Sequence, residues 1–338
     1  MSSFSMGYSN RTLVVEFILL AFPEVHQYQI LLFTFILITY IVCIAGNLTI
    51  ILLVIAEHSL HFPMYFFISL FSAQEILFVS VPIPKLLANL ISGNKKISFV
   101  GCFLQVFSFI TLGQIESICI IIMAFDRYLA INKPLHYTLI MNQTVCIRLA
   151  IFPWFIGLFN SLTVTMFTLH LDFCGPNELN HFFCDLGPLQ SLACSDTYIT
   201  NSVTTGATTI GAIVPFMIIF GLYTKIILTV SKISTPLGKH KAFSTCSSHI
   251  TVALLFFFTV FIIYLRPNSS LYDKFFSLLY TVVTPTFNPF IYGLRNRDVK
   301  NVMRKVLVKY CNKPGFRAAL FIRLTRLKTN GPTVINGP

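Results

Sequence analysis

A few places in this 338-residue sequence hold chemically active side chains where apolar packing alone would not keep them. Met123-Ala-Phe-Asp-Arg-Tyr128 ends a long apolar run with an adjacent acid and base, Asp126 and Arg127. Pro134-Leu-His-Tyr137 closes the loop that follows. Glu75 and Glu116 are acids inside other apolar stretches, His249 stands in a third, and nine cysteines are spread along the chain. An ion pair at the edge of a low-dielectric region is strong, and exchanging its partners biases two conformational states by a few kcal/mol. Buried acids demand protons, hydrogen-bond donors or a cation. No nucleophile stands with a base beside it, and no metal-ligand spacing occurs, so the chain does not read as an enzyme.

The elements that position these groups follow from composition. The chain is 55% hydrophobic and 11% charged, whereas soluble domains carry about 25% charged residues. Lipid must therefore face much of the surface. A crossing helix needs about 20 apolar residues. Seven runs qualify, at about 27–56, 62–89, 97–131, 147–171, 197–230, 240–265 and 273–294. No ten-residue alternating pattern points to a barrel. The fold class is an all-α membrane protein, a seven-transmembrane helix bundle over 27–294. Residues 1–26 read as an extracellular tail without a signal-peptide pattern, so the first span is expected to serve as an uncleaved anchor. Residues 295–338 read as a short amphipathic cytoplasmic helix and a C-terminal tail.

Orientation follows the cations. Eleven Lys and Arg lie from Arg295 onward, and Lys225, Lys232, Lys239 and Lys241 lie in the loop between spans five and six and the span ends that flank it. The loop between spans four and five carries Asp172, Glu178, Asp185 and Asp196 and no Lys or Arg. The C-terminus is thus cytoplasmic and the N-terminus outside, with Lys95 and Lys96 running against the trend. Cys102, Cys174, Cys184 and Cys194 fall on the oxidising side, where four cysteines allow three pairings. Of the glycosylation sequons, Asn10 on the free tail is the expected acceptor. Residues 296–310 set Val299, Val302, Met303, Val306 and Leu307 against Arg297, Lys300, Arg304 and Lys305, which predicts a helix lying on membrane lipid. The aromatic residues lie in apolar runs rather than among the basic ones, so no nucleic-acid surface is read.

The motifs together resemble the olfactory receptors of the rhodopsin-like G-protein-coupled class. The resemblance runs from about residue 12 to 313. It rests on Gly46-Asn47, Pro63-Met-Tyr-Phe-Phe67, Met123-Ala-Phe-Asp-Arg-Tyr128, Lys241-Ala-Phe-Ser-Thr-Cys-Ser-Ser-His249 and Pro285-Thr-Phe-Asn-Pro-Phe-Ile-Tyr292. It implies a multi-pass plasma-membrane receptor that binds a small odorant and activates a heterotrimeric G protein of the stimulatory, olfactory type, raising cyclic AMP. It implies that Asp126, Arg127, Tyr128, Tyr223, His249, Asn288, Pro289 and Tyr292 form the coupling switch. It implies the pairings Cys102–Cys184 and Cys174–Cys194. For Glu75 and Glu116 two readings stay open: a protonated, hydrogen-bonded pair, or a sodium site with Asn47 and Asn288. No other cofactor is expected. The chain departs from the family at Phe256-Phe257-Phe258, where Phe-Tyr-Gly is usual, at Phe125, at Asn132 and in its long tail after Pro314.

The ligand site is expected in the outer half of the bundle. Residues 109–114 lie roughly 20–27 Å above Arg127 at about 1.5 Å per residue, and Phe109, Ile110, Gly113 and Gln114 recur at helical spacing. The resemblance sets Ala207, Gly211, Val260, Phe261, Tyr264 and Thr281 opposite them. That lining carries no charge, which predicts a neutral ligand of volatile size. The alternatives are a rhodopsin-like receptor for a non-odorant small molecule and a membrane transporter. No internal repeat supports transport. No Lys within 275–294 supports a retinal Schiff base, and no acid within 103–114 supports an amine ligand.

Overall fold

The computed structural model describes residues 14–174, 176–265, 271–295 and 297–311. In chain order the elements are β1 (Glu16–Leu19), α1 (Gln29–Ala56), α2 (Pro63–Ser80), α3 (Ile83–Ser92), β2 (Lys96–Ser98), α4 (Phe99–Asn132), α5 (Tyr137–Ile140), α6 (Gln143–Leu169), β3 (Glu178–Leu179), α7 (Leu186–Gln190), α8 (Tyr198–Ser231), α9 (Pro236–Leu265), α10 (Leu271–Leu278), α11 (Thr284–Arg295) and α12 (Arg297–Cys311).

Among the described residues, six helical stretches are long and apolar enough to cross a membrane. The seventh crossing is built from α10, a π-helical turn at Leu279–Val283, and α11. The expected single second span is two helices, α2 and α3. Pro82 and Pro84 sit at the start of α3, and a proline removes a backbone donor and bends the path. The outer surfaces of the bundle stay apolar, with Ile30, Phe155, Phe159, Leu254 and Phe258 all exposed. That is the surface a helix shows to lipid, whose core has nothing polar to offer.

Helix contacts are close where side chains are small. A Cβ added at Gly46 of α1 would stand 2.9 Å from the Pro289 ring of α11, so only glycine lets these helices approach. Pro153, Pro215 and Pro289 lie inside α6, α8 and α11. One apolar core runs the length of the bundle, and two smaller clusters lie at the outer end.

The segment expected to be the inner part of an extracellular tail is folded. β1 pairs antiparallel with β2, Glu16 opposite Ser98, and parallel with β3, Leu19 opposite Leu179. The three strands form one sheet in the order β2-β1-β3. Phe17 and Leu19 alternate with Glu16 and Ile18 and are fully buried, as one covered face of a strand requires. Lys96, which ran against the charge rule, is ion-paired with Glu16 at 2.6 Å. Both cations and strand therefore belong to one small outer cap, which a survey of apolar runs cannot detect.

Candidate functional site

At the inner end of α4, Asp126 and Arg127 are both buried. The Arg127 guanidinium donates to Asp126 through Nε at 3.0 Å and also through Nη2. The Tyr137 hydroxyl donates to the other carboxylate oxygen of Asp126 at 2.7 Å. Burial, followed by the Asp126 charge, pushes the Tyr137 phenol well above its usual range, so it stays a donor. Arg127 lies within electrostatic range of Tyr223 on α8 and of Cys246 and His249 on α9. His249 packs its ring 5.3 Å from that of Tyr292. The Tyr292 hydroxyl donates to Met123 Sδ at 3.7 Å. Tyr128 is half-buried and stacks on Phe125. The structure thus brings most of the expected switch residues around the end of α4. It adds Tyr137 and Met123, which sequence reasoning missed. Tyr137 stood in the quoted loop motif, and its phenol was the available signal. A further tie, the Thr229 hydroxyl to Asn132 Oδ1, joins α8 to the last turn of α4. Beside it a cytoplasmic hollow of about 410 Å³ is lined by Asn132, Lys133, Pro134, Leu135, His136 and Ile140.

One level deeper, Asn288 donates to Glu75 Oε1. Asn47 donates to the Cys43 carbonyl at 3.0 Å and to the Pro285 carbonyl at 3.5 Å. Glu116 lies within electrostatic reach of Glu75. The buried oxygens Asn47 Oδ1, Ser72 Oγ, Glu75 Oε2, Glu116 Oε2 and Asn288 Oδ1 have no hydrogen-bond partner. An unmade bond on a buried oxygen costs about 1–3 kcal/mol. Oxygen-only donors fit a hard cation and not a soft one. Among the described residues no cluster of three His, Cys, Asp or Glu offers a transition-metal site.

In the outer half, the expected α4 face divides in two. Phe109 meets Phe78 of α2, Phe183 of the outer loop and Tyr280 of the π-helical turn, at ring distances of 4.9, 4.7 and 6.1 Å. Gly113, one turn further in, faces Tyr280 and Phe78 as well. Ile110 instead packs in the outer cluster with β1 and the loop. Gln114 turns toward α6 and α8: its Oε1 accepts from Asn160 at 3.4 Å and lies against Gly211. Phe261 packs with Phe216 and Phe257 at 5.1 and 6.2 Å, and Val260 is buried beside them on α9. Ala207 is half-buried on α8. Thr281 is buried, but its hydroxyl donates to the Ser277 carbonyl of its own helix at 2.8 Å. Tyr264's side chain lies outside the described residues. Phe78, Phe183 and Tyr280 were missed. Tyr280 is the immediate neighbour of the expected Thr281, and in the π-helical turn both are buried.

Over this region lies the cap. Cys102 is joined to Cys184, tying α4 to the outer loop, and Cys174 to Cys194, closing the loop on itself. Gln105 receives the Cys184 N–H at 2.9 Å. The Ala21 N–H donates to the His181 carbonyl at 3.1 Å, with Ala21 held at φ +53°. Phe22 stacks on Phe182 and touches Phe275. Lys274, whose side chain is buried, donates to Glu24 at 3.1 Å. Burial holds the His181 imidazole below its ordinary pKa, although Asp185 works the other way. Asn10, the side chain of Cys311, and the tail beyond it lie outside the described residues.

The profile of the olfactory receptor family matches residues 35–310 of this chain. Among curated proteins, Olfactory receptor 1E16 of Mus musculus is 41% identical over 303 residues, which is 89% of this chain and 96% of the relative. Olfactory receptor 6N1 of Homo sapiens is 42% identical over 305 residues, covering 89% of this chain and 98% of the relative. Olfactory receptor 7C1 of Homo sapiens is 43% identical over 305 residues, covering 89% and 95%.

Proposed function

Because the chain belongs to the olfactory receptor family, a family of multi-pass plasma-membrane receptors rather than enzymes, we propose that it binds a neutral, volatile-sized odorant in the outer half of its bundle. In this reading it then activates a stimulatory, olfactory-type G protein and raises cyclic AMP. One observation carries the ligand class. The Phe109 ring meets other aromatic rings, the bare backbone at Gly113 faces Tyr280 and Phe78, and the outer half of α4 from Phe103 to Gly113 holds no charge. An amine or a carboxylate entering there would lose its hydration without a counter-charge, a cost of several kcal/mol. Apolar burial with one or two hydrogen bonds is the binding mode such a lining supports.

The inner end supports a switch. Arg127 is planar, permanently charged and already held on two of its donors by Asp126, so it is suited to changing partners when α9 moves. The hollow beside Lys133, with Leu135 largely exposed at its rim, is a fitting place for the G protein to dock. The unpartnered oxygens of Asn47, Glu75, Glu116 and Asn288 are the residues that would hold a sodium ion, whose charge would offset those of the two acids. α12 packs Val299 and Val302 into the bundle core and presents Lys300, Arg304 and Lys305 outward, a basic face that suits anionic lipid. Asn10 is the proposed glycosylation site.

The test is an odorant panel of aliphatic alcohols, aldehydes, esters, acids and amines on cells expressing the receptor, read as cyclic AMP. The expected result is a response to neutral members, abolished in Arg127→Ala at unchanged surface expression. Activation by acids or amines alone would refute the ligand class, and a full response in Arg127→Ala would refute the switch.

A further inference from the structure

The seventh crossing contains an irregularity that the receptor function just proposed does not use. Leu279–Val283 is a π-helical turn: the Thr284 N–H reaches back to the Leu279 carbonyl, and the Thr284 hydroxyl donates to the same oxygen at 3.2 Å. Such a turn inserts one residue and rotates α10 by about 100° relative to α11. π-turns of this kind are frequent at functional sites.

Tyr280 lies in this turn and is buried. Its ring touches Phe78 of α2 at 5.2 Å, Phe109 of α4 at 6.1 Å and Phe256 of α9 at 6.0 Å. Its hydroxyl occupies the space over Gly113: a Cβ built there would be 3.3 Å from the oxygen, tighter than nine in ten real Cβ contacts, so the hydroxyl would have to give by a few tenths of an ångström. Phe109 leads outward to Phe183 of the cap, and Phe256 leads on to Phe257 and Phe216. A continuous path of rings therefore runs from the outer loop to α9, and Tyr280 is the link between α4 and α9. Rings in contact cannot compress, and packed interiors switch between discrete arrangements rather than deforming smoothly. Phe256 and His249 are seven residues apart, two turns of α9, so they share a face. A push on Phe256 rotates or tilts the same face that presents His249 to Tyr292.

We propose that Tyr280 is the positioning residue that passes ligand binding in the outer half of the bundle to α9, and that Gly113 is glycine to leave room for its hydroxyl. The proposal rests on the ligand-site reading given above. It follows that a methyl group at Gly113 acts like a bound ligand by driving Tyr280 toward Phe256, and that removing the hydroxyl cancels the effect.

The experiment uses the full-length receptor in cells, with signalling in the absence of odorant normalised to surface expression. Gly113→Ala is expected to raise basal signalling about fivefold or more, the lower end of a typical allosteric coupling. The double variant Gly113→Ala/Tyr280→Phe is expected to return to the level of Tyr280→Phe alone. An unchanged basal level in Gly113→Ala, or an undiminished rise in the double variant, overturns the proposal. If Gly113→Ala does not reach the surface, the cycle Phe256→Leu, Tyr280→Leu and the double variant decides instead. Non-additive effects on basal signalling support the relay, and additive ones sink it. Phe109→Ala, tested on the alcohol, aldehyde and ester panel, separates the two layers. Altered potencies with an additive Tyr280–Phe256 cycle leave the ligand site standing and remove the relay. Unaltered potencies remove the ligand-site reading itself.

Discussion

Tyr137→Phe removes one atom from the inner switch and leaves its packing in place. In the wild type the Tyr137 hydroxyl donates to Asp126 at 2.7 Å while Arg127 holds the other oxygen. A hydrogen bond to a charged acceptor contributes about 1.5–3 kcal/mol. Tyr137 is only half-buried, so the lower figure, about 1.5 kcal/mol, is appropriate. If the bond belongs to the resting arrangement, its loss shifts the resting-to-signalling ratio by about tenfold, since about 1.4 kcal/mol is a factor of ten. Basal cyclic AMP at matched surface expression should therefore rise, by up to about that factor while the signalling state remains the minor one. Asp126→Asn should raise it too, and adding Tyr137→Phe to Asp126→Asn should change little, because both act on one network. A fall in basal activity, or full additivity of the two substitutions, would show that Tyr137 does not restrain the pair in the resting state.

Three further outcomes follow. Cys174→Ser/Cys194→Ser opens a loop with a sequence separation of 20 residues, worth on the order of 3 kcal/mol in chain entropy; a lower midpoint of thermal unfolding is expected, and an unchanged one refutes the estimate. His181 is held neutral by burial below its ordinary value of 6.5, so the unfolded chain binds the proton more readily. Stability is then full above about pH 6.5 and declines progressively as pH falls from there toward the lowered folded value. Thermal unfolding at pH 7.5 and 5.5 should show this, with His181→Gln flattening the difference; an equal slope in the variant would exclude His181. Glu75→Gln is expected to abolish any dependence of odorant potency on sodium at constant ionic strength, and a dependence surviving in the variant would place the ion elsewhere.

What could be read directly from residue order was whatever charge betrays. Asp126, Arg127, Glu75 and Glu116 stood out because an apolar environment tolerates them only with partners, and each is buried in the structure. The seven crossings were visible for the same reason, as stretches lacking charge. The outer sheet was not visible. β1 has four residues, and its partners at 96–98 and 178–179 are far along the chain, so no local period marks them. The candidate ligand face was half legible. Phe109, Ile110, Gly113 and Gln114 were grouped by spacing alone, but a helix has neighbours on several sides. Phe109 and Gly113 went to α2 and the π-helical turn, whereas Gln114 went to α6 and α8. The π-helical turn itself leaves no signature in residue types, and with it Tyr280 was hidden.

The cap also sets an order of events during synthesis. β1 leaves the ribosome first, yet Leu19 must wait for Leu179, about 160 residues later. At roughly 5–20 residues per second the delay is on the order of 10–30 s. Until β2 is made, the apolar strand with Phe17 and Leu19 stands in the lumen with both edges open, and one edge stays open until β3 follows, the condition in which strands pair with the wrong chain. The Glu16 carboxylate on its outer face is the available safeguard until Lys96 arrives. The first strand made is the last to be completed, so lesions in Phe17 or Leu19 should register as retention of newly made receptor before they register as altered odour response.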